Sequence, residues 1–345
     1  MTSLADIFDQ LLGKQDELDG DSKRRRQQDS AARILAKVSS WHAERPYLRP
    51  GVDLGKLTRS FVFDKKTEDI SYCWSLNFEP NFFAELCYEG FLSICSYPSK
   101  VVYVLMPWLD PERCVLEVDA IHISTNVKRR SGKYTLTVNT AFDGVVAGCI
   151  EQHGESWLHP PMQKLLKVLN SKGYTGQKKM HFGIHSIELW DKDKRLVAGD
   201  LGYSVGAVYT SMTGFRKEGT VGAGTIQLVA TCSLLKEQGF KWWDLGMVMK
   251  YKKELGAHVM SRKEFISRLH KDRDCSDVTL ATAEHISAKH LVQKLRLHQQ
   301  ELLSSEGKRT CGGEKEDMKQ SVAASATKDS HKNSTAAISS VDEED

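Results

Sequence analysis

Between residues 181 and 201 the chain sets strand-forming residues on either side of a run of charge. Phe182, Ile184, Ile187 and Leu189 precede that run, Leu196 and Val197 follow it, and residues 191–195 between them are all charged. Two antiparallel strands joined by a polar tip is what this pattern predicts. A chain carrying it has to build an antiparallel sheet.

At 345 residues, 40% hydrophobic and 27% charged, the chain can bury one large core or two modest ones. It has no apolar run near the ~20 residues that cross a bilayer. Its first residues are acidic and lack the apolar centre of a secretion signal, so a cytoplasmic protein with no membrane partner is expected. Eight cysteines show no CxxC pairing; the expectation is reduced, buried thiols and no metal site. The net charge of +3 is unevenly spread: residues 301–345 hold ten acidic against six basic side chains, which leaves the first 300 at +7. That surplus is compatible with a polyanionic partner.

Composition also divides the chain. Residues 1–45 read as a polar extension, partly helical or disordered, with one amphipathic helix on Leu4, Ile7, Phe8, Leu11 and Leu12. A folded unit is expected at 46–270, a helical extension at 271–303 and a disordered tail at 304–345. Within the folded unit the order is helix 80–91, a buried strand at 100–106, a strand at 134–138, a helix from Thr140 and another starting at Pro160 and Pro161. The hairpin follows, then strand 206–210, a glycine-rich loop, helix 225–238, strand 240–244 and a last helix ending near Leu269. Trp242 and Trp243 should alternate across their strand, one buried and one beside a cleft. Antiparallel strands followed by a strand–loop–helix–strand unit predict a mixed α/β sheet.

The words along this frame have a pattern of their own. His185-Ser186-Ile187-Glu188-Leu189-Trp190 with Leu196-Val197-Ala198-Gly199 resembles the core of the leucyl/phenylalanyl-tRNA–protein transferases. So do His122-Ile123-Ser124 with Tyr134, Thr137, Asn139, Ala141-Phe142 and Gly148-Cys149, and Ser156-Trp157 with Met162. Asp110 to Leu116 and Leu255-Gly256-Ala257 with Arg262 are similar to further family words. In order and with few gaps, the resemblance covers about 80–269. It implies an acetyltransferase-like fold, mixed α+β: a twisted mixed sheet flanked by helices at 121–270, with a cleft where two strands splay and a small N-terminal domain at 46–120. It also implies an activity, the transfer of a Leu-, Phe- or Met-like amino acid from charged tRNA to the N-terminal α-amine of acceptor proteins with basic first residues, in N-degron-type degradation. Aminoacyl-tRNA is then a co-substrate, no cofactor is required, and a monomer is expected.

Asp244 aligns with the family's strand-terminal Asp, which implies a catalytic carboxylate that holds or deprotonates the incoming amine; an Asp after a strand also commonly caps the next helix. Around it the words change. The family's Gln two positions on is Gly246, and Met212 stands where a Glu is expected, within 211–216 together with Phe215. Thr231 and Leu235 replace aromatic pocket positions. Arg216, Gly219 and Gly222 belong to a basic glycine-rich loop entering a helix, suited to phosphate, although positive φ alone would also call for glycine there. Its near match to a CoA-binding loop makes a CoA-dependent N-acyltransferase one alternative; a non-catalytic tRNA-binding relative is another. Lys128, Arg129 and Arg130 form a basic turn fit for a phosphate backbone. His185, on a strand, reads as a hydrogen-bonded core histidine.

Overall fold

The hairpin lies near the centre of an eight-stranded sheet. The computed structural model describes residues 4–12, 22–282 and 284–323. Its strands are β1 (Leu92–Ser96), β2 (Val104–Trp108), β3 (Glu112–Glu117), β4 (Thr135–Val138), β5 (Phe182–Trp190), β6 (Leu196–Val205), β7 (Val208–Arg216), β8 (Trp242–Asp244), β9 (His258–Ser261) and β10 (Ile286–Ser287). Strands β1 and β2 form a separate pair, and the rest lie in the order β10-β4-β5-β6-β7-β8-β3-β9. Within that sheet only β7 and β8 are parallel. Helix Ala223–Glu237 carries the chain between them, as a parallel connection requires. The fold is mixed α+β, as expected.

Strands β5 and β6 pair from Phe182↔Val205 to Trp190↔Leu196. Their tip closes on Asp191, whose carboxylate accepts from the backbone N–H groups of Asp193 and Arg195. Strand β7 runs to Arg216, well past the expected end at 210. Ser, Thr and Gly in 211–214 suggest a loop, but β6 supplies a ladder partner as far as Ala198↔Arg216. The β6–β7 turn needs its glycine twice over. Gly206 has φ +52°, and a Cβ there would lie 2.4 Å from the carbonyl oxygens of Asp272 and Arg273, where the helix Arg262–Asp272 ends.

The sheet is covered on both faces. Trp242 packs edge-on to Phe265, in a core shared with helices Pro80–Tyr88, Phe142–His153 and Pro160–Lys172. Trp243 meets Tyr209 in the opposite core, with helix Ala223–Glu237 and residues 288–295. Both tryptophans are fully buried, and Trp243 touches the place where β7 and β8 part only through its Nε1–H, which donates to Ser211 Oγ at 2.9 Å. The period of two is right, but a sheet buried on both faces leaves no exposed side. A third cluster packs Phe8, Leu12, Ala31 and Leu35 against Trp74 and Val104, so the helices Leu4–Leu12 and Ser22–Val38 bury apolar residues of the polar N-terminal segment. Strand β3, from the stretch 46–120, sits inside the large sheet between β8 and β9.

By contacts, residues 1–297 form one unit and 298–345 a second. In the second, residues 298–323 are helical, in keeping with their Glu, Lys, Gln and Leu content; the tail beyond 323 lies outside the described residues. No helix among the described residues is long and apolar enough to cross a membrane. Cys73, Cys87, Cys95, Cys114, Cys149 and Cys232 are buried free thiols.

Helix Arg262–Asp272 begins with a capping box. The Glu264 N–H donates to Ser261 Oγ, and the Ser261 N–H donates back to the Glu264 carboxylate at 3.1 Å. Ser261→Ala is expected to lower stability by about 1 kcal/mol, seen as a lower urea midpoint at unchanged slope. An unmoved midpoint would mean that the Arg262 guanidinium, bonded to the carbonyls of Phe61 and Glu68, holds the helix start without the cap.

Candidate functional site

Strands β7 and β8 keep company for three residues only, Val208↔Trp242 to Thr210↔Asp244. Beyond Thr210, β7 stays with β6, while the chain after Asp244 turns away. A cavity of about 770 Å³ opens between them, walled by residues 211–216, by Gly199 and Asp200 of β6, by 245–247, and by the start of helix Ala223–Glu237. Met212 is the extra residue of a β-bulge, because Ser211 pairs with Gly202 and Thr213 with Leu201. A bulge bends the strand and re-aims its side chains, and here it does so at the cavity wall.

Met212, Phe215, Arg216, Gly222 and Gly246 all line this cavity. Phe215 is 5% exposed and wedged between a helix and the sheet. A Cβ on Gly148 would come within 2.7 Å of its ring and one on Gly199 within 2.8 Å, so glycine on both sides makes its slot. Gly222, at φ +82°, is the N-cap of helix Ala223–Glu237, and Gly219 has φ +77°; the backbone requirement for glycine is real at both. Thr231 and Leu235 do not reach the cavity. Both are fully buried, Thr231 accepts from the Gln227 amide at 2.9 Å, and Leu235 belongs to the core beneath the sheet. They lie two and three turns into their helix, on its inward side, whereas the cavity meets only the first turns.

Asp244 is buried without exposure and does not line the cavity. Its Oδ2 accepts from Arg113 Nη1 at 2.8 Å and from Thr210 Oγ1 at 3.4 Å. Its Oδ1 accepts from the Gly246 N–H at 2.8 Å. It caps no helix: Met249 is the N-cap of the one that follows. Arg113, 1% exposed, also donates to the Gly90 carbonyl at 2.7 Å and stacks over Phe265. Burial is the largest single influence and works against the Arg113 charge, yet Asp244, Tyr203, Asp110 and Cys87 together outweigh it and hold the guanidinium pKa above its ordinary value. The pair fixes the turn at 244–246, whose glycine, at φ +73°, forms the cavity edge.

Sequence reasoning passed over the cavity's own carboxylate. Asp200, on β6, is 4% exposed and lines the cavity. Its Oδ2 accepts from Tyr209 Oη at 2.7 Å and from Ser211 Oγ at 2.9 Å. Burial pushes the carboxyl up to about 6, against the pull of those two hydroxyls and of Lys252. The Lys252 ammonium also lines the cavity but is bonded to the carbonyls of Leu245 and Met247, and burial lowers its pKa. One charge inside the otherwise uncharged strand Leu196–Val205 is a signal legible in the sequence. Arg113, set before the apolar run Cys114-Val115-Leu116, is another.

His185 is the core histidine its strand position suggests. Its Nε2 lies 2.9 Å from Ser204 Oγ, and burial lowers its pKa to about 4. Glu188 is buried under the hydroxyls of Thr137, Thr140 and Ser186 and the Ala141 N–H, a structural network rather than part of the cavity.

The basic turn and the glycine loop meet. Arg130 donates to the Val221 carbonyl at 3.1 Å, and Arg130, Lys133, Arg195 and Gly219 share a second cavity of about 390 Å³. Lys128 and Arg129 stand exposed beside it in sequence. Gly219 and Gly222 thus face different cavities, which divides the loop between two sites.

Comparison with known proteins agrees with the family resemblance of the sequence. The family model for leucyl/phenylalanyl-tRNA protein transferase matches residues 115–270. The leucyl/phenylalanyl-tRNA–protein transferase of Edwardsiella ictaluri is 30% identical over 181 residues, 51% of this chain and 69% of that protein. Proteins of the same name from Maridesulfovibrio salexigens and Paramagnetospirillum magneticum are 30% and 29% identical, over 47% of this chain in both cases and over 65% and 75% of their own lengths.

Proposed function

Since the chain belongs to the leucyl/phenylalanyl-tRNA–protein transferase family, a family of aminoacyltransferases, we propose that it moves an amino acid from a charged tRNA onto the N-terminal α-amine of an acceptor protein. One observation carries this reading. Met212, Phe215, Arg216, Gly222 and Gly246, spread over 35 residues, converge on a single cavity at the point where two strands part. In the reaction the amine lone pair attacks the ester carbonyl. A C–N bond forms, the ester C–O bond breaks, and the adenosine 3′-oxygen takes up the proton that the amine releases. An ester becomes a more stable amide, so no cofactor is needed, and the protein's task is orientation.

The apolar walls of Leu92, Met212, Phe215 and Leu228 suit a stem of Leu, Phe or Met size. Asp244, with both oxygens engaged by protein donors, serves as a positioning residue that holds the 244–246 turn. Arg130 and Lys133 beside Gly219, with Lys128 and Arg129, offer the tRNA phosphate contacts whose strength falls with salt. Acceptors beginning with Arg or Lys, which such a tag would mark for degradation in the cytoplasm, complete the reading; the chain would act as a monomer.

The test is a transfer assay. The full chain is mixed with tRNAs carrying labelled Leu, Phe, Met, Lys, Arg or Tyr and with peptides beginning in Arg, Lys or Ala, and labelled acetyl-CoA is offered in parallel. Label on the Arg and Lys peptides from charged tRNA is the expected result. Label from acetyl-CoA alone would replace the reading with a CoA-dependent acyltransferase, and no label from either donor would leave a tRNA-binding protein without turnover.

A further inference from the structure

The cavity described above holds a carboxylate where its wall is otherwise largely apolar. Asp200 Oδ2 is committed to Tyr209 and Ser211, and these two hydroxyls fix the plane of the group. No hydrogen bond from the described residues ends on Oδ1. Gly214 lies beside that oxygen: a Cβ there would stand 3.4 Å from Oδ1 and only 2.8 Å from the Gly199 carbonyl oxygen, and it is the second contact that calls for glycine. The nearby cation, Lys252, is tied to two backbone carbonyls and acts on Asp200 through its charge alone, the carboxylate's hydrogen bonds among the described residues coming from Tyr209 and Ser211. A hydrocarbon side chain filling this space would strip water from Oδ1 and offer nothing in return. A ligand bearing an N–H or O–H group would satisfy it.

We propose that Asp200 is a specificity-determining residue: it selects a donor amino acid whose apolar stem lies along Met212, Phe215 and Leu228 and whose far end gives a hydrogen bond to Oδ1. This rests on the reading of the cavity as the place of the aminoacyl group. Ammonium, guanidinium and phenolic hydroxyl ends share the required chemistry. A site built to receive such a group rejects the analogue that lacks it far more strongly than an apolar pocket rejects a missing methylene.

Non-hydrolysable probes test this without turnover. Leucine, lysine, arginine or tyrosine is joined through an amide to 3′-amino-3′-deoxyadenosine, and binding to the full chain is measured by calorimetry for wild type, Asp200→Asn and Asp200→Met. Wild type is expected to bind at least one donor-bearing probe tenfold or more tighter than the leucyl probe. Lysyl or arginyl preference identifies a cation as the recognised end, and tyrosyl preference a hydroxyl. Asp200→Met should reverse the order in favour of leucine, and Asp200→Asn should reduce a preference for cations. The proposal is overturned if wild type binds the leucyl probe as tightly as every other, if Asp200→Met leaves the order unchanged, or if no probe binds. Transfer of leucine from tRNA at rates equal to the polar donors would sink this inference and leave the transferase standing. Selective probe binding without transfer from any charged tRNA would do the opposite.

Discussion

Asp244→Ala is expected to lower the stability of the fold by about 3–5 kcal/mol, the range for removing one partner of a buried ion pair. Arg113 would be left 1% exposed, with its Asp244 contact at 2.8 Å gone. Asp110, the other carboxylate near it, is 3.9 Å from Nε, too far for a strong hydrogen bond. A loss of that size is a large part of a typical stability of 5–15 kcal/mol, and guanidinium unfolding would show it directly. Arg113→Met should cost a comparable amount. The double variant Arg113→Met/Asp244→Leu should regain much of the loss, because the desolvation of both charges disappears with them. If Asp244 acts as proposed, by holding the 244–246 turn, transfer activity should fall in step with stability in the single variants. An Asp244→Ala protein of full stability with no transfer would instead assign Asp244 to direct contact with the reacting groups.

The contrast between Asp244 and Asp200 shows where the sequence is legible. Asp244 stands out because it closes a strand and follows two tryptophans; its contacts are another matter. Which atoms a strand-end carboxylate touches depends on Arg113, 131 residues away in the chain, and no local pattern carries that distance. The hairpin, the parallel strand–helix–strand unit and most helix starts are local affairs of period and capping, and they are read within a few residues. The bulge at Met212 is not, because a bulge is a property of two strands in register. For the same reason β7 looks too short until β6 is laid beside it. Thr231 and Leu235 fail for a geometric reason, since a helix entering a cavity at its first turn carries its third turn into the core.

Asp200→Asn is expected to stabilise the protein at neutral pH by about 2–3 kcal/mol, and the gain should vanish near pH 4. The folded-state pKa of Asp200 is pushed up to about 6 by burial, against about 4 in an unfolded chain. Between those values the folded protein binds the proton more often than the unfolded chain does, so Asp200 makes wild-type stability fall as pH rises from about 4 to about 6 and then level off. Two pKa units correspond to about 3 kcal/mol. The asparagine carbonyl can still accept from Tyr209 and Ser211, whose hydroxyls lie 2.7 and 2.9 Å from Oδ2, and the variant has no proton to exchange. Subtracting its unfolding free energy from that of wild type at each pH isolates this one group from the other carboxylates. A difference that is flat from pH 4 to 8 would mean that Asp200 titrates like a solvated carboxylate and that the cavity floor is wet. A slope confined to the 4–6 window means that the protein maintains a desolvated charge in its cavity at a cost to its own stability, and a ligand that pairs with that charge recovers the cost as affinity.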